Sequence, residues 1–213
     1  MEIITREYKV YNYSELSEEA KEKAKQWYLD DDSKPMEFTE IYMEDLRYLF
    51  NNSDLKLQYS LSYCQGDGLN IYGKLDLVDV ISMIKENRTG DSMEQFENAL
   101  TEKEIKTIEA YMEVCGRKIE LPYNRSGYEY CVADRTDFAE EWIEELEYQM
   151  YKNIQVGTIR KLENLVRDMF TMLSMQYEKY GYEFFYEVDD ETMTEACEVN
   201  EWMFLEDGTF FAA

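Results

Sequence analysis

The chain has 213 residues, of which 47 are Asp or Glu, 22 are Lys or Arg and none is His, so its formal net charge is −25. This charge excludes nucleic acid and anionic membrane as direct ligands, because a phosphate-binding protein needs an excess of Lys and Arg. The absence of histidine excludes Ser-His-Asp and Cys-His nucleophile systems, imidazole general bases and His-ligated zinc.

The N-terminal part of the chain predicts a strand and two helices. Alternation over 7–13 is typical of a strand. Ser17 is suited to cap a first helix, and Pro35 is tolerated at the start of a second. The apolar faces of these two helices are Ala20, Ala24, Trp27 and Tyr28 in the first and Phe38, Ile41, Tyr42, Leu46 and Leu49 in the second.

A β-hairpin is the clearest signal in the middle of the chain. Alternating apolar residues over 55–62 and 69–75 flank the turn Gln65-Gly66-Asp67-Gly68, and a helix over 77–86 follows. The turn residues suit the backbone geometry of a reversal, a ligand- or metal-binding tip that uses Asp67, or a loop that contacts a partner.

Two capping boxes and a second hairpin are expected next. The boxes are Ser92–Gln95 and Thr101–Glu104, and each opens a helix. Strands over 118–123 and 128–133 form the predicted hairpin across 124–127.

From Asp137 onward the sequence is helical and acidic. Phe138, Trp142, Leu146 and Met150 form an apolar stripe, and a later helix has an inner face at Leu162, Leu165, Val166, Met169, Phe170 and Leu173. The last 34 residues contain ten acids and no base, and they end in a short hairpin over 202–211 that turns at Asp207-Gly208. We therefore predict an α+β fold of antiparallel hairpins packed with helices. Its parts are an α+β lobe over 1–135 and an acidic helical segment over 136–213, within one continuous fold.

The residue inventory favours a binding protein over an enzyme. Cys64, Cys115, Cys131 and Cys197 lack C-x-x-C spacing, so we expect free thiols in a reducing cytoplasm rather than zinc or a disulfide framework. No phosphate-binding loop is present, and close carboxylate pairs arise by chance among 47 acids. We expect no catalytic activity, no cofactor and no metal. The sequence also lacks a signal peptide and a membrane span, which predicts a cytoplasmic protein.

Two acidic groups are the candidate partner-binding residues. They are Glu140, Glu141, Glu144 and Glu145 in one helix, and the run Asp189, Asp190 and Glu191. A solvated surface is the alternative, but charges of one sign interleaved with tyrosine suit a surface that engages an arginine-rich groove. The tyrosines are Tyr128, Tyr130, Tyr148, Tyr151, Tyr177, Tyr180, Tyr182 and Tyr186. Twenty-five charges equal those of about 12 base pairs, which span about 40 Å of duplex.

Three segments resemble an accessory protein family of tailed bacteriophages. They are 11–21 with its ELSEEAK start, 59–68 with its S-x-x-x-x-QGDG hairpin, and 198–208 with its closing VNEWMFLEDG. Small acidic phage proteins include anti-CRISPR and antirestriction inhibitors, several of which are DNA mimics. The resemblance in type implies an inhibitor that occupies the basic nucleic-acid channel of a host defence nuclease, such as a CRISPR effector, in the host cytoplasm. The alternatives are a small-ligand or metal-binding accessory protein organised around Gln65–Gly68 and an acidic assembly factor.

Overall fold

The computed structural model describes residues 7–86, 96–125 and 131–212. Within them the chain is α+β, as predicted. The helices are α1 (Glu18–Leu29), α2 (Lys34–Leu49), α3 (Leu77–Glu86), α4 (Glu102–Cys115), α5 (Ala139–Tyr148), α6 (Val156–Tyr186) and α7 (Asp190–Asn200). The strands are β1 (Asp54–Ser60), β2 (Gly68–Asp76), β3 (Lys118–Leu121), β4 (Met203–Phe204) and β5 (Phe210–Phe211). The predicted capping box at 92–95 and residues 128–130 of the second predicted hairpin lie outside the described residues. The rest of that predicted strand, 131–133, is wrong, because these residues form no strand and Ala133 begins a 3₁₀ helix that ends at Arg135.

The contacts divide the chain into two compact units. Unit 1 combines Met1–Phe38 with Gly181–Ala213, and unit 2 is Thr39–Tyr180. The predicted boundary between 135 and 136 does not coincide with this division, because it falls inside unit 2.

Unit 1 has a small aromatic core. Its buried members are Tyr13, Leu16, Ala20, Ala24, Met193, Cys197 and Phe204. The Trp27 ring stacks on Phe210 with 4.2 Å between ring centroids and meets Trp202 edge-on at 5.1 Å. Residues from both ends of the chain thus share one core.

The predicted strand over 7–13 is wrong apart from one residue. Tyr11 pairs with Phe204 through N–H···O bonds of 2.8 and 2.9 Å. Asn12 then donates its N–H to the Glu15 carboxylate at 2.8 Å, and Tyr13–Glu15 forms a 3₁₀ turn. The local side-chain bond favours the turn over continued pairing.

The predicted cap and terminal turn of unit 1 are both confirmed. Ser17 Oγ accepts the Ala20 N–H at 3.3 Å at the start of α1. The turn between β4 and β5 has Gly208 at φ +80°, and a Cβ there would overlap the carbonyl oxygen of Ala20. Glycine is therefore required by both backbone conformation and close approach.

Unit 2 contains an antiparallel sheet of order β1-β2-β3. Leu57 pairs with Ile71, and Leu75 with Ile119. The predicted hairpin is confirmed, although 61–67 form a longer connection than a tight turn. Helix α3 follows β2 without a loop.

The helices of unit 2 follow the predicted signals closely. The capping box of α4 is confirmed: Thr101 Oγ1 accepts the Glu104 N–H at 3.3 Å, and the Glu104 carboxylate accepts the Thr101 N–H at 2.8 Å. All six predicted inner-face residues of α6 are buried. None of the helices in the described ranges is both long enough and apolar enough to cross a bilayer.

Candidate functional site

The acidic helix α5 is anchored at its first turn by two side chains of α6. Glu163 is buried, and its Oε2 accepts the backbone N–H groups of Phe138 at 2.8 Å and Ala139 at 2.7 Å. Its Oε1 pairs with Arg167 at 2.8 Å, and Arg167 Nε donates to the Thr136 carbonyl at 2.6 Å. The carboxylate satisfies N–H groups that have no partner within the helix. This network fixes the position of α5 on α6.

The inner face of α5 is buried as far as Leu146. Phe138, Trp142 and Leu146 are buried, which confirms three members of the predicted stripe. The prediction for Met150, the fourth member of the stripe, is wrong, because α5 ends at Tyr148. Met150 is 86% exposed and has a φ of +55°. Helical spacing does not apply beyond the last helical turn.

The outer face of α5 borders a groove. Spacing of three, four and seven residues places Glu141, Glu144, Glu145 and Tyr148 on one side of the helix. The groove, which we call the α4–α5 groove, has a volume of about 650 Å³ and is lined by Val114, Cys115, Glu141, Trp142, Glu144, Glu145 and Tyr148. Tyr148 is 79% exposed at its rim.

The negative charge in this groove is not neutralised from within the described part of unit 2. Glu145 accepts a hydrogen bond from the Gln149 amide at 2.8 Å. Neither it nor Glu141 or Glu144 forms an ion pair with any described residue. Glu140 differs, because it pairs with Arg160 at 2.7 Å and does not line the groove. Of the four predicted contact residues on α5, three therefore line one groove.

The carboxylates of the groove change the pKa of the Cys115 thiol. Burial raises its pKa, and the charges of Glu145 and Glu141 raise it further, to about 11. The thiol is therefore protonated at neutral pH, and its Sγ donates to the Trp142 carbonyl at 3.6 Å. The groove disfavours an added negative charge and favours a positive one.

Comparison of the chain with protein-family models, with curated proteins and with solved structures finds no match. The resemblance to phage accessory proteins therefore stays a prediction. Function must be inferred from the charges, the exposed side chains and their geometry.

The second predicted group, Asp189–Glu191, lies at the start of α7 in unit 1. Asp189 caps the helix by accepting the Thr192 N–H at 2.7 Å. Asp190 pairs with Lys25 at 2.7 Å and with Lys21 at 3.7 Å, and it accepts the Tyr13 hydroxyl at 2.8 Å. Glu191 is exposed. Two lysines thus offset part of the charge of this group.

Asp67 organises the connection between β1 and β2. Its Oδ2 accepts the backbone N–H groups of Ser62 at 2.6 Å and Cys64 at 2.8 Å, and its Oδ1 accepts the Ser60 hydroxyl at 2.9 Å. Desolvation opposes ionisation, but bonds from Cys64 and Ser62 prevail and hold the pKa of Asp67 well below its ordinary value. These bonds give the aspartate a structural role.

The predicted interface tyrosines differ in their exposure to solvent. Tyr148, Tyr151, Tyr180 and Tyr186 are exposed to different degrees. The prediction that Tyr177 lies on the binding surface is wrong, because its side chain is buried and its hydroxyl donates a hydrogen bond to Asp45. Tyr182 is half-buried, and Tyr128 and Tyr130 lie outside the described residues.

The four cysteines are free thiols, with Cys64 exposed and Cys197 buried. Across 7–86, 96–125 and 131–212, no three Cys, Asp or Glu residues are grouped so that they could hold a metal ion. The residues that sequence reasoning missed are Cys115, Glu163 and Arg167. The spacing of Glu163 and Arg167, four residues apart on one helix, is a signal for their pairing. No local signal indicates that Glu163 caps a different helix.

Proposed function

We propose that the chain is a non-enzymatic phage anti-defence inhibitor of the anti-CRISPR or antirestriction kind. It acts in the host cytoplasm as an acidic DNA mimic that occupies the basic nucleic-acid channel of a defence nuclease, such as a CRISPR effector. The contacts are the glutamates of α5, with the Asp189–Glu191 run as a second group.

The observation that carries this proposal is the charge density of α5. The helix has five Glu and no basic residue among ten residues. At about 1.5 Å of rise per residue this is one charge per about 3 Å. One strand of B-DNA carries a phosphate every 3.4 Å or so. A channel lined with Arg and Lys at phosphate spacing would therefore find comparable partners along α5.

The charge of the whole chain supports the same reading. A net charge of −25 attracts a basic groove over distances of the Debye length and speeds the encounter with it. The two acidic groups are unequal, however. The α5 glutamates of the groove have no ion-pair partner among the described residues, whereas Asp190 has two lysines. We therefore assign the larger part of the binding energy to α5.

Competition with DNA tests the proposal. A labelled duplex is bound to each member of a panel of purified CRISPR effectors and restriction nucleases, and fluorescence anisotropy follows its release as the protein is added. We expect release from at least one nuclease. Binding to that nuclease should weaken steeply between low salt and about 0.5 M salt, since exposed charge pairs are screened.

Charge reversal supplies the matched comparison. The variant E140K/E141K/E144K/E145K should lose displacement by about two orders of magnitude or more, because attraction becomes repulsion at four positions. The control E40K/E44K/E102K/E113K changes the same number of exposed charges on α2 and α4 and should retain most activity. Failure to release DNA from any nuclease, or equal losses in both variants, would overturn the proposal.

A further inference from the structure

The α4–α5 groove combines an apolar floor with an acidic rim. Val114 and the buried Trp142 supply apolar surface, and Glu141, Glu144 and Glu145 supply the charge. Tyr148 adds an exposed ring at the edge. Apolar contact, carboxylates and an accessible ring therefore meet in one concave site.

A second groove along α4 shows that this combination is not general in unit 2. It is lined by Thr101, Glu102, Lys103, Lys106, Thr107, Ala110, Tyr111, Tyr151, Asn153 and Gln155. Its charged residues are of both signs, so it has no consistent preference for a charged partner. The lining of the α4–α5 groove contains three acids and no base. Charge complementarity therefore favours a cation in this groove.

We propose that the α4–α5 groove receives an arginine side chain of the partner protein, held by Glu141, Glu144 and Glu145 and stacked on Tyr148. The inference names the partner chemistry of the proposed functional site, and the identity of that partner as a nuclease rests on the proposed function. The occupant is a protein side chain within a basic surface.

Arginine fits this groove better than lysine for geometric reasons. The guanidinium is planar and presents five N–H donors, so it can bind two carboxylates while its face lies on an aromatic ring. It is also more weakly hydrated than an ammonium group, which eases its transfer onto the apolar floor. Lysine offers a compact, strongly hydrated charge that cannot stack in the same way.

The electrostatic state of the groove agrees with this assignment. Glu145 and Glu141 lie close enough to Cys115 to raise the pKa of its thiol above the value set by burial alone. The negative potential of both carboxylates therefore extends into the groove as far as Cys115. A cation placed there interacts with them in partly desolvated surroundings, where attraction is stronger than at an open surface.

Peptide binding to the full chain tests the inference without any nuclease. Hexa-arginine and hexa-lysine are titrated into the protein by calorimetry at low salt. We expect hexa-arginine to bind more tightly. The variant E141Q/E144Q/E145Q should weaken its binding by about tenfold or more, whereas E40Q/E44Q/E102Q, which removes the same charge elsewhere in unit 2, should weaken it by about threefold or less.

Tyr148 is tested separately, because its role is stacking and not charge. Y148A should remove most of the preference for hexa-arginine over hexa-lysine, while Y148F should keep it, since the ring is retained. Y48A truncates another exposed tyrosine, on α2, and should have no effect on the preference. Thermal unfolding of each variant checks that the fold is intact.

Equal losses in the two glutamine variants, or an unchanged preference in Y148A, would overturn the inference. These outcomes are distinguishable from failure of the proposed function. If the protein releases DNA from a nuclease but the two glutamine variants lose peptide binding equally, only the groove assignment is overturned. If the groove binds hexa-arginine specifically but the protein releases DNA from no nuclease, only the proposed nuclease target is overturned.

Discussion

Asp190 joins three segments of unit 1 although its side chain is half exposed. The carboxylate contacts Lys21 and Lys25 of α1 and the hydroxyl of the buried Tyr13, and it begins α7. The hydrogen bonds from Lys25 and Tyr13 lower its pKa against an opposing effect of desolvation. The ionised form is therefore stabilised by folding.

We predict that D190N lowers the thermal midpoint of unfolding at pH 7. Because folding depresses the pKa of Asp190, its contribution is present above the ordinary value of 3.8 and is lost as pH falls through the lower folded value. The difference between wild type and D190N should therefore shrink in acid. Thermal melts at pH 7 and near pH 3 measure both effects.

E191Q is the matched control, since it neutralises the next residue, which is exposed. It should leave the midpoint unchanged at either pH. Equal midpoints of wild type and D190N at pH 7 would contradict the structural role of Asp190.

Asp67 shows what could and could not be inferred at the residue scale. Its place in a chain reversal follows from the neighbouring glycines and the alternating strands. Its hydrogen bonds do not, because they depend on a seven-residue connection whose path the sequence pattern leaves open. The pattern therefore left three alternatives open: a turn that serves only the backbone geometry, a ligand- or metal-binding tip, and a loop that contacts a partner.

Helix α5 depends on α6 for its first turn. Its N-cap residue, Phe138, has no side-chain acceptor, so the role passes to Glu163, twenty-five residues later. Loss of that carboxylate would leave the N–H groups of Phe138 and Ala139 without their acceptor and Arg167 without its ion-pair partner. The orientation of the acidic face is thus set from outside the helix.

We predict that E163A lowers the free energy of unfolding by about 3 kcal/mol, since it leaves buried donors and a charged partner uncompensated. E140A, which breaks the exposed pair between α5 and Arg160, should cost about 1 kcal/mol or less. Urea denaturation of the two variants against wild type measures the difference. Similar losses in both would mean that Glu163 does not anchor α5.

Elements with local signals were predictable, and those that depend on distant partners were not. Ser17 and the Thr101–Glu104 box begin helices because cap and helix are adjacent in sequence. Tyr11 lies in an alternating segment, yet its single partner is Phe204, and a local bond turns the chain away at Asn12. Met150 continued the spacing of a helix that had already ended. The acidic residues of α5 were predicted to lie on a helix, which is confirmed, but the groove beside them requires α4 and could not be predicted locally.

The whole molecule carries a charge that opposes its own compaction. With −25 net charges on 213 residues, repulsion between carboxylates destabilises the folded state relative to the expanded one. Ion pairs such as Lys25–Asp190 offset only part of this repulsion. Added salt screens the repulsion over distances greater than the Debye length, which falls from about 30 Å at 0.01 M to about 3 Å at 1 M.

We predict that the thermal midpoint rises as NaCl increases from about 0.01 M to about 0.5 M. Choline chloride at equal ionic strength should give the same rise, because screening does not depend on the cation. A constant or falling midpoint would show that favourable ion pairs outweigh repulsion, and a rise limited to one cation would indicate specific ion binding.

At this scale the sequence predicted the fold class but not the grouping of its parts. Composition changes near residue 136, where acidic helices begin, and suggests a boundary there. The contacts instead place 181–212 with the first helix, because Trp27, Phe204 and Phe210 share a core. Composition along the chain does not show which distant segments pack together in one core.

The shared core of unit 1 determines the order in which the two units can fold during synthesis on the ribosome. Unit 2 is contiguous, so all of its residues have been made when Tyr180 has been added. Unit 1 must wait, because the ring of Trp27 gains its stacking partner only when Phe210 has been synthesised. At about 5–20 residues per second, synthesis from Trp27 to Phe210 takes about 10–40 s, and during this time the aromatic face of α1 lacks its native partners. Helix α1 is therefore made before all of unit 2, yet it gains its partners in the core only after unit 2 is complete.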